Sequence, residues 1–186
     1  MKNAFIAAGL VVLFGLLIGA YFYLPPAEEK GAGNGTKSFV AASQRSDTAV
    51  EKPPEGWSEY QSERYGFSLF YPAEMAVSEF DEGKGASTLT FEDKQGGRGF
   101  QIFAVPYSGT QVSEERFLRD IPSGVRENPV DFYVAGVLAT VFYSRHPLLG
   151  DTIEVWFIRG GYLFELTTLK PLEDLLAEII QTWRFL

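Results

Sequence analysis

The sequence predicts an α+β domain with a central antiparallel sheet flanked by helices, preceded by one transmembrane helix. An uncharged apolar stretch opens the chain, from Ala4 to Leu24. After residue 57, short segments of alternating apolar residues are separated by Gly-rich turns, which is typical of strands joined as hairpins. Only two later stretches carry apolar residues at helical spacing. Many hairpin strands with few helices favour an α+β architecture over alternating strands and helices.

Residues 1–24 are predicted to form a cytoplasmic start and a transmembrane, signal-anchor helix. A helix rises about 1.5 Å per residue, so this apolar stretch can cross a hydrocarbon core about 30 Å thick. Lys2 precedes it, Glu28 follows it, and Pro25 ends it. The positive-inside rule then predicts a single-pass protein with its amino terminus in the cytoplasm and its carboxy-terminal domain outside. A signal peptide cleaved after Ala20 is the alternative, and it would release a secreted domain.

Residues 25–56 are predicted to be a disordered linker. They are rich in Gly, Ala, Ser, Thr, Asn and Pro, and Phe39 and Val40 are their one adjacent pair of large apolar residues. Such a composition buries too little surface to offset the entropy of the chain. The extracytoplasmic domain is therefore expected at 57–186.

The strands of this domain are predicted from alternation and from turn residues. Pro72 ends the first long strand because proline cannot donate to a sheet ladder. Gly160 and Gly161 suit a two-residue hairpin turn, which requires positive φ. The predicted strands are 65–72, 76–80, 87–91, 100–105, 131–134, 137–143, 152–158 and 162–168, with a short terminal strand at 184–186.

Two helices are predicted. Ser113 can cap a helix over 113–121, where Glu114 and Glu115 suit the positive end of the helix dipole. Pro171 can begin the last helix, because its missing N–H costs nothing in the first turn. Apolar residues then recur at helical spacing from Leu172 to Trp183.

Composition restricts the partners. The formal net charge is −8 at pH 7, which argues against nucleic acid as a partner. The chain has no cysteine, so the domain folds without disulfides. We expect the membrane to be contacted through the N-terminal helix, and a protein partner to lie in the cell envelope.

The opening and the end of the domain resemble the PsbP-like superfamily. The opening has the aromatic residues Trp57 and Tyr60, followed by the segment Tyr-Gly-Phe-Ser-Leu-Phe-Tyr-Pro at 65–72. The end has the Gly-Gly hairpin, Tyr-Leu-Phe-Glu-Leu-Thr at 162–167 and a helix leading to Trp183. The resemblance implies an α/β/α sandwich over 57–186. It also implies a binding or assembly module without catalytic residues, as in extrinsic photosystem II subunits, a Ran-binding import factor and bacterial exported proteins.

Few residues are candidates for chemistry. His146 is the sole histidine, so zinc sites are not expected and a catalytic triad would have to use it. No Gly-x-Ser-x-Gly elbow is present. Carboxylates at two turns could share Ca²⁺, which prefers oxygen ligands, although their spacing lacks the EF-hand pattern. These candidate metal ligands are Asp81, Glu82, Glu92 and Asp93.

The sequence therefore predicts a non-catalytic, membrane-tethered binding or assembly module outside the cytoplasm, with no cofactor other than a candidate Ca²⁺. Two alternatives stay open. One is a cell-envelope hydrolase or carbohydrate-active enzyme, which would need two acids facing one cleft at about 5–10 Å. The other is a sensor domain that responds to divalent metals.

Overall fold

The structure is a computed structural model that describes Phe39 and residues 52–186. The predicted transmembrane segment and most of the predicted linker lie outside these residues. Within them, no helix has the length and apolar character needed to cross a bilayer.

A seven-stranded antiparallel sheet forms the centre of the domain. Its strands are β3 Ala76–Gly83, β4 Ala86–Asp93, β5 Arg98–Pro106, β6 Glu127–Val134, β7 Val137–His146, β8 Gly150–Arg159 and β9 Tyr162–Leu169. They run in the spatial order β3-β4-β5-β9-β8-β7-β6, so every neighbouring pair except β5–β9 is consecutive in the chain. The predicted strands between 76 and 168 are confirmed, each extended by a few residues.

The β8–β9 hairpin is built as predicted. Arg159 pairs with Tyr162, which leaves Gly160 and Gly161 as the turn. Both glycines have positive φ, at 62° and 82°. This is the backbone that a type I′ turn requires, and only glycine adopts it there without a steric penalty.

A second sheet of three strands packs on one face of the first. It consists of β1 Trp57–Ser62, β2 Phe67–Pro72 and β10 Arg184–Phe185, in the order β1-β2-β10. The predicted strand at 65–72 is thus confirmed from Phe67 onward, but it belongs to this smaller sheet and not to the central one. It starts after Gly66, whose N–H closes a turn onto the carbonyl of Ser62.

Two helices pack on opposite faces of the large sheet. Helix α1, Glu114–Asp120, is capped as predicted, because the Ser113 hydroxyl accepts the N–H of Arg116 at 3.1 Å. Helix α2, Glu173–Gln181, follows a 3₁₀ turn at Lys170–Leu172 that contains Pro171. Its buried residues join the main core together with the three-stranded sheet.

Aromatic rings fill the main core. The ring of Phe67 on β2 stacks on Trp183 at 4.2 Å and meets Phe164 on β9 edge-on at 5.7 Å. Phe91 and Phe100 stack at 4.4 Å on the neighbouring strands β4 and β5. A smaller cluster on the opposite face joins Phe117, Phe142 and Trp156 under α1. A domain without disulfides is therefore held by apolar burial on both faces of its sheet.

Phe39 departs from the prediction of a disordered linker. Its side chain has no solvent exposure and belongs to the main core. Its ring centroid lies 5.5 Å from that of Phe132 on β6. The prediction rested on the average composition of 25–56, which carries no information about a single large aromatic residue that finds an apolar contact.

Candidate functional site

The face of the large sheet that carries α1 holds the buried charged residues of the described chain. Glu154 on β8 and Glu165 on β9 both point to this face, with 2% and 3% of their surface exposed. From α1, Arg116 pairs with Glu165 and with Asp120 on its own helix. Charged groups are rarely buried without partners, so each of these is expected to have hydrogen-bond or ion-pair partners.

Glu154 is held by two threonine hydroxyls. Thr152 donates to its Oε1 at 2.8 Å, and Thr167 on β9 donates to its Oε2 at 2.6 Å. No cation is paired with this carboxyl in the described part of the chain. Burial therefore raises the pKa of Glu154 to about 7, and the hydroxyl donors oppose that rise only in part.

Arg116 joins the helix to the sheet. Its guanidinium donates to Oε1 of Glu165 at 2.9 Å and forms an ion pair with Asp120 one turn along the same helix. It also lies over the ring of Phe103, 5.8 Å from the centroid. This cation thus faces two carboxyls, the buried Glu165 and the half-buried Asp120. Burial, followed by the charge of Asp120, raises the pKa of Glu165 well above its usual range, and burial also raises that of Asp120.

A narrow cleft lies beside these acids. Its cavity volume is about 20 Å³, which is the room of about one water molecule. The hydroxyl of Ser144 is buried and makes no hydrogen bond within the described residues. The lining comprises Gln101, Asp120, Ser144, His146, Thr152, Glu154, Glu165 and Thr167, with Phe103, Ile121, Pro122, Arg145 and Pro147.

The two glutamates are placed as a catalytic carboxylate pair would require, but a substrate has no access to them. Glu154 is opposite Thr167, and Glu165 is opposite Trp156, which makes the two acids diagonal neighbours on adjacent strands. Such neighbours lie about 7–8 Å apart between backbone positions. A sugar ring must nevertheless fit between acid and nucleophile, and a water-sized cavity leaves no room for one.

His146 lines the same cleft. Its Nδ1 accepts the backbone N–H groups of Leu148 and Leu149 at 3.2 and 3.3 Å, which closes the β7–β8 turn. Burial lowers its pKa. Because the Ser144 hydroxyl has no hydrogen bond in the part of the chain that the structure describes, Ser144 and His146 do not form a nucleophile–base pair.

The four candidate calcium ligands lie at opposite ends of the β3–β4 hairpin. Asp81 is opposite Ser87, whereas Glu92 is opposite Ala76. The two pairs are therefore about 17 Å apart along the strands. The structure does not bring Asp81 and Glu82 together with Glu92 and Asp93.

Three of these acids have local roles. Asp81 accepts the N–H of Gly83 at 2.8 Å, and Glu82 accepts the hydroxyl of Thr88 at 2.9 Å. Asp93 accepts the N–H of Gly96 at 2.9 Å. That bond, together with the ion pair to Arg98, lowers its pKa. Among the residues that the structure describes, no group of three or more carboxylates or imidazoles could hold a metal ion.

The exposed apolar side chains offer a second kind of site. Tyr133 and Leu138 stand directly opposite each other on the β6–β7 hairpin, with 57% and 55% of their surfaces exposed. They flank the turn at Ala135 and Gly136, both with positive φ. An aromatic and an aliphatic side chain are thus exposed together at a hairpin end on the edge of the sheet, and aromatic residues are enriched where proteins bind one another. We call Tyr133 and Leu138 the hairpin pair.

The sequence analysis singled out neither the buried acids nor the hairpin pair. A signal for the acids was present, since Glu154 and Glu165 each stand inside an otherwise apolar strand segment, Ile-Glu-Val and Phe-Glu-Leu. A lone carboxylate flanked by large apolar residues in a central strand indicates burial. Arg116, which pairs with Glu165, gave no such signal, because its short helix is distant in sequence from the strand that carries Glu165.

Comparison with known proteins places the architecture in the PsbP-like fold. The solution structure of cyanobacterial PsbP (CyanoP) from Synechocystis sp. PCC 6803 is similar, with a TM-score of 0.51 at 12% sequence identity. The similarity covers 75% of this chain and 98% of that chain. No protein-family model and no curated protein matches the sequence. At this identity the likeness establishes the fold, as the motifs at 57–72 and 162–183 predicted.

Proposed function

We propose that this chain is a non-catalytic binding or assembly module, tethered to a membrane by residues 1–24, that presents a PsbP-like domain outside the cytoplasm. The non-catalytic part of the proposal rests on the face of the large sheet that carries α1, which has no open cleft within residues 52–186. Its acids are buried and its cleft has a volume of about 20 Å³, which is too small for an organic substrate. The tether rests on the uncharged stretch from Ala4 to Leu24.

The partner is a protein of the cell envelope, and the hairpin pair is its contact surface. Tyr is among the residues enriched where proteins bind one another, because its ring is apolar and its hydroxyl tolerates water. Leu138 enlarges the apolar area beside it. The net charge of −8 keeps the remaining surface soluble and favours a partner with basic residues around the apolar contact.

The topology is tested in membranes from cells that make the full chain. Alkaline washing is expected to leave the protein in the membrane pellet. External protease is expected to degrade the domain only after the outer compartment is opened, while a tag fused before Met1 stays protected. Recovery in the soluble fraction of the outer compartment, without residues 1–20, would support the cleaved signal peptide. Recovery in the cytosol would refute both versions.

The surface is tested by cross-linking in intact membranes. The double variant Tyr133→Ser and Leu138→Ser is expected to lose the cross-linked species that the wild type forms. The control is Leu148→Ser, which removes an apolar side chain of equal exposure, 56%, from the β7–β8 turn. Equal cross-linking in both variants would remove the hairpin pair from the proposal.

The carboxylate enzyme is a second candidate because two acids do lie on one face of the sheet. It predicts that Glu154→Gln and Glu165→Gln abolish a hydrolytic activity of the wild type toward cell-wall polysaccharide. The non-catalytic module predicts no activity in any of the three proteins. Hydrolysis by the wild type that either variant loses would decide for the enzyme.

A further inference from the structure

The main core extends to the edge of the large sheet, although β6 is an edge strand. Phe132 and Val134 on β6 are 3% and 1% exposed, on the face that also carries α2 and the small sheet. A side chain on an edge strand becomes this buried only when another part of the protein covers it. Another residue must therefore cover Phe132 and Val134.

The described elements on this face lie over other strands. Tyr60 of β1 meets Phe91 on β4 at 5.4 Å, and Phe67 of β2 meets Phe164 on β9. Trp183, just after α2, meets Phe157 on β8 at 5.2 Å. Among the described rings, the one in contact with Phe132 on β6 is Phe39.

Phe39 lies far from β1, the strand that follows it in the chain. The strand that follows it, β1, lies over β4, whereas Phe132 is on β6 at the other end of the sheet. Five strand spacings separate β4 from β6, about 24 Å. The chain between Phe39 and Trp57 can extend to about 60 Å, so it spans this distance with slack.

We propose that Phe39 is docked on the β6 end of the main core, and that its undocking uncovers an apolar site at Phe132 and Val134. The occupant is this chain's own Phe39. Undocking of Phe39 would expose this apolar patch.

This inference needs neither the membrane nor the envelope partner. The contact between Phe39 and Phe132 can form in a secreted chain as well. Loss of the cross-linked partner would therefore leave it intact, and loss of Phe39 docking would leave the topology of the protein intact.

The direct test is an aromatic NOE in the full chain, solubilised in detergent micelles with labelled phenylalanine. Cross-peaks between the rings of Phe39 and Phe132 are expected, since the ring centroids lie 5.5 Å apart. They are assigned by their loss in a Phe39→Leu variant. Absence of these cross-peaks overturns the proposal.

The second test compares melting temperatures of full-chain variants. Phe39→Ala is expected to lower the melting temperature by roughly 10 °C, because it opens a cavity in the core. Phe39→Leu, which keeps most of the apolar volume, should fall less. The control is Phe80→Ala on β3, whose ring is 40% exposed. A Phe39→Ala melting temperature within about 2 °C of this control, by the scale of a single surface substitution, overturns the proposal.

Discussion

Replacement of Glu154 by Gln should stabilise the domain above neutral pH and have little effect in acid. Gln has nearly the same size as Glu. Its amide oxygen can accept a hydrogen bond from one of the hydroxyls of Thr152 and Thr167, and its NH₂ group can donate one to the other. The change therefore removes the titration and leaves the packing. The wild-type carboxyl must lose its proton in a fully buried position as the pH rises.

The size of the effect follows from linkage. The pKa of Glu154 rises from an ordinary 4.5 to about 7 in the folded protein. The folded state therefore binds the proton more tightly than the unfolded state. Below about pH 4.5 the wild type has the full contribution of this group, and it loses that contribution as the pH rises to about 7. At 1.36 kcal/mol per pKa unit the loss is about 3 kcal/mol, or roughly 10 °C in melting temperature.

Thermal unfolding of the full chain in detergent, from pH 4.5 to 8 at constant salt, measures this difference. The melting temperatures of Glu154→Gln and wild type should converge near pH 4.5 and separate as the pH rises, with the variant higher. Glu178→Gln, at an exposed position on α2, is the matched control and should follow the wild type at every pH. A wild-type-to-variant difference that does not change with pH would refute the argument that burial holds the Glu154 proton.

Three further substitutions test other contacts by urea unfolding at pH 8. Arg116→Met removes the cation of the buried Glu165 and leaves Asp120 with Arg119 alone, and it should cost about 3–5 kcal/mol. A loss below 1 kcal/mol would mean that this ion pair does not hold α1. Thr182→Val removes the hydroxyl that accepts the N–H of Phe70 at 2.8 Å, and a buried amide left without a partner should cost about 1–3 kcal/mol, so an unchanged midpoint would contradict it. Gly161→Val forces a β-branched residue to φ 82° and should cost about 1–2 kcal/mol or more, whereas a stability equal to the wild type would rule out the type I′ turn.

Local patterns were sufficient for most secondary structure. The alternation from 76 to 168, the Gly160-Gly161 turn and the Ser113 cap each act over a few residues, so the sequence predicted them directly. The position of β2 was a different matter. Both faces of this strand are buried at Phe67 to Phe70, and no local rule says which of two sheets will receive a strand that is buried on both faces.

The candidate sites depended more on the fold. The prediction of calcium ligands grouped acids that are close in sequence, but an antiparallel hairpin separates its turn from its open end by the full length of the strands. Pairing of β8 with β9 instead brought Glu154 and Glu165 to one face, and packing of α1 supplied Arg116. These meetings depend on register and on contacts between distant residues, which periodicity does not encode.

The amino-acid sequence by itself determined the uncharged N-terminal stretch, the hairpin strands, the two helix starts and the motifs of a PsbP-like fold, because each is written in neighbouring residues. Only the tertiary structure decided that two acids would be sealed beneath α1, that Tyr133 and Leu138 would stand exposed together, and that Phe39 would be buried against Phe132. The physical reason is that burial and charge pairing are properties of packed surfaces, and those surfaces exist only after distant segments have met.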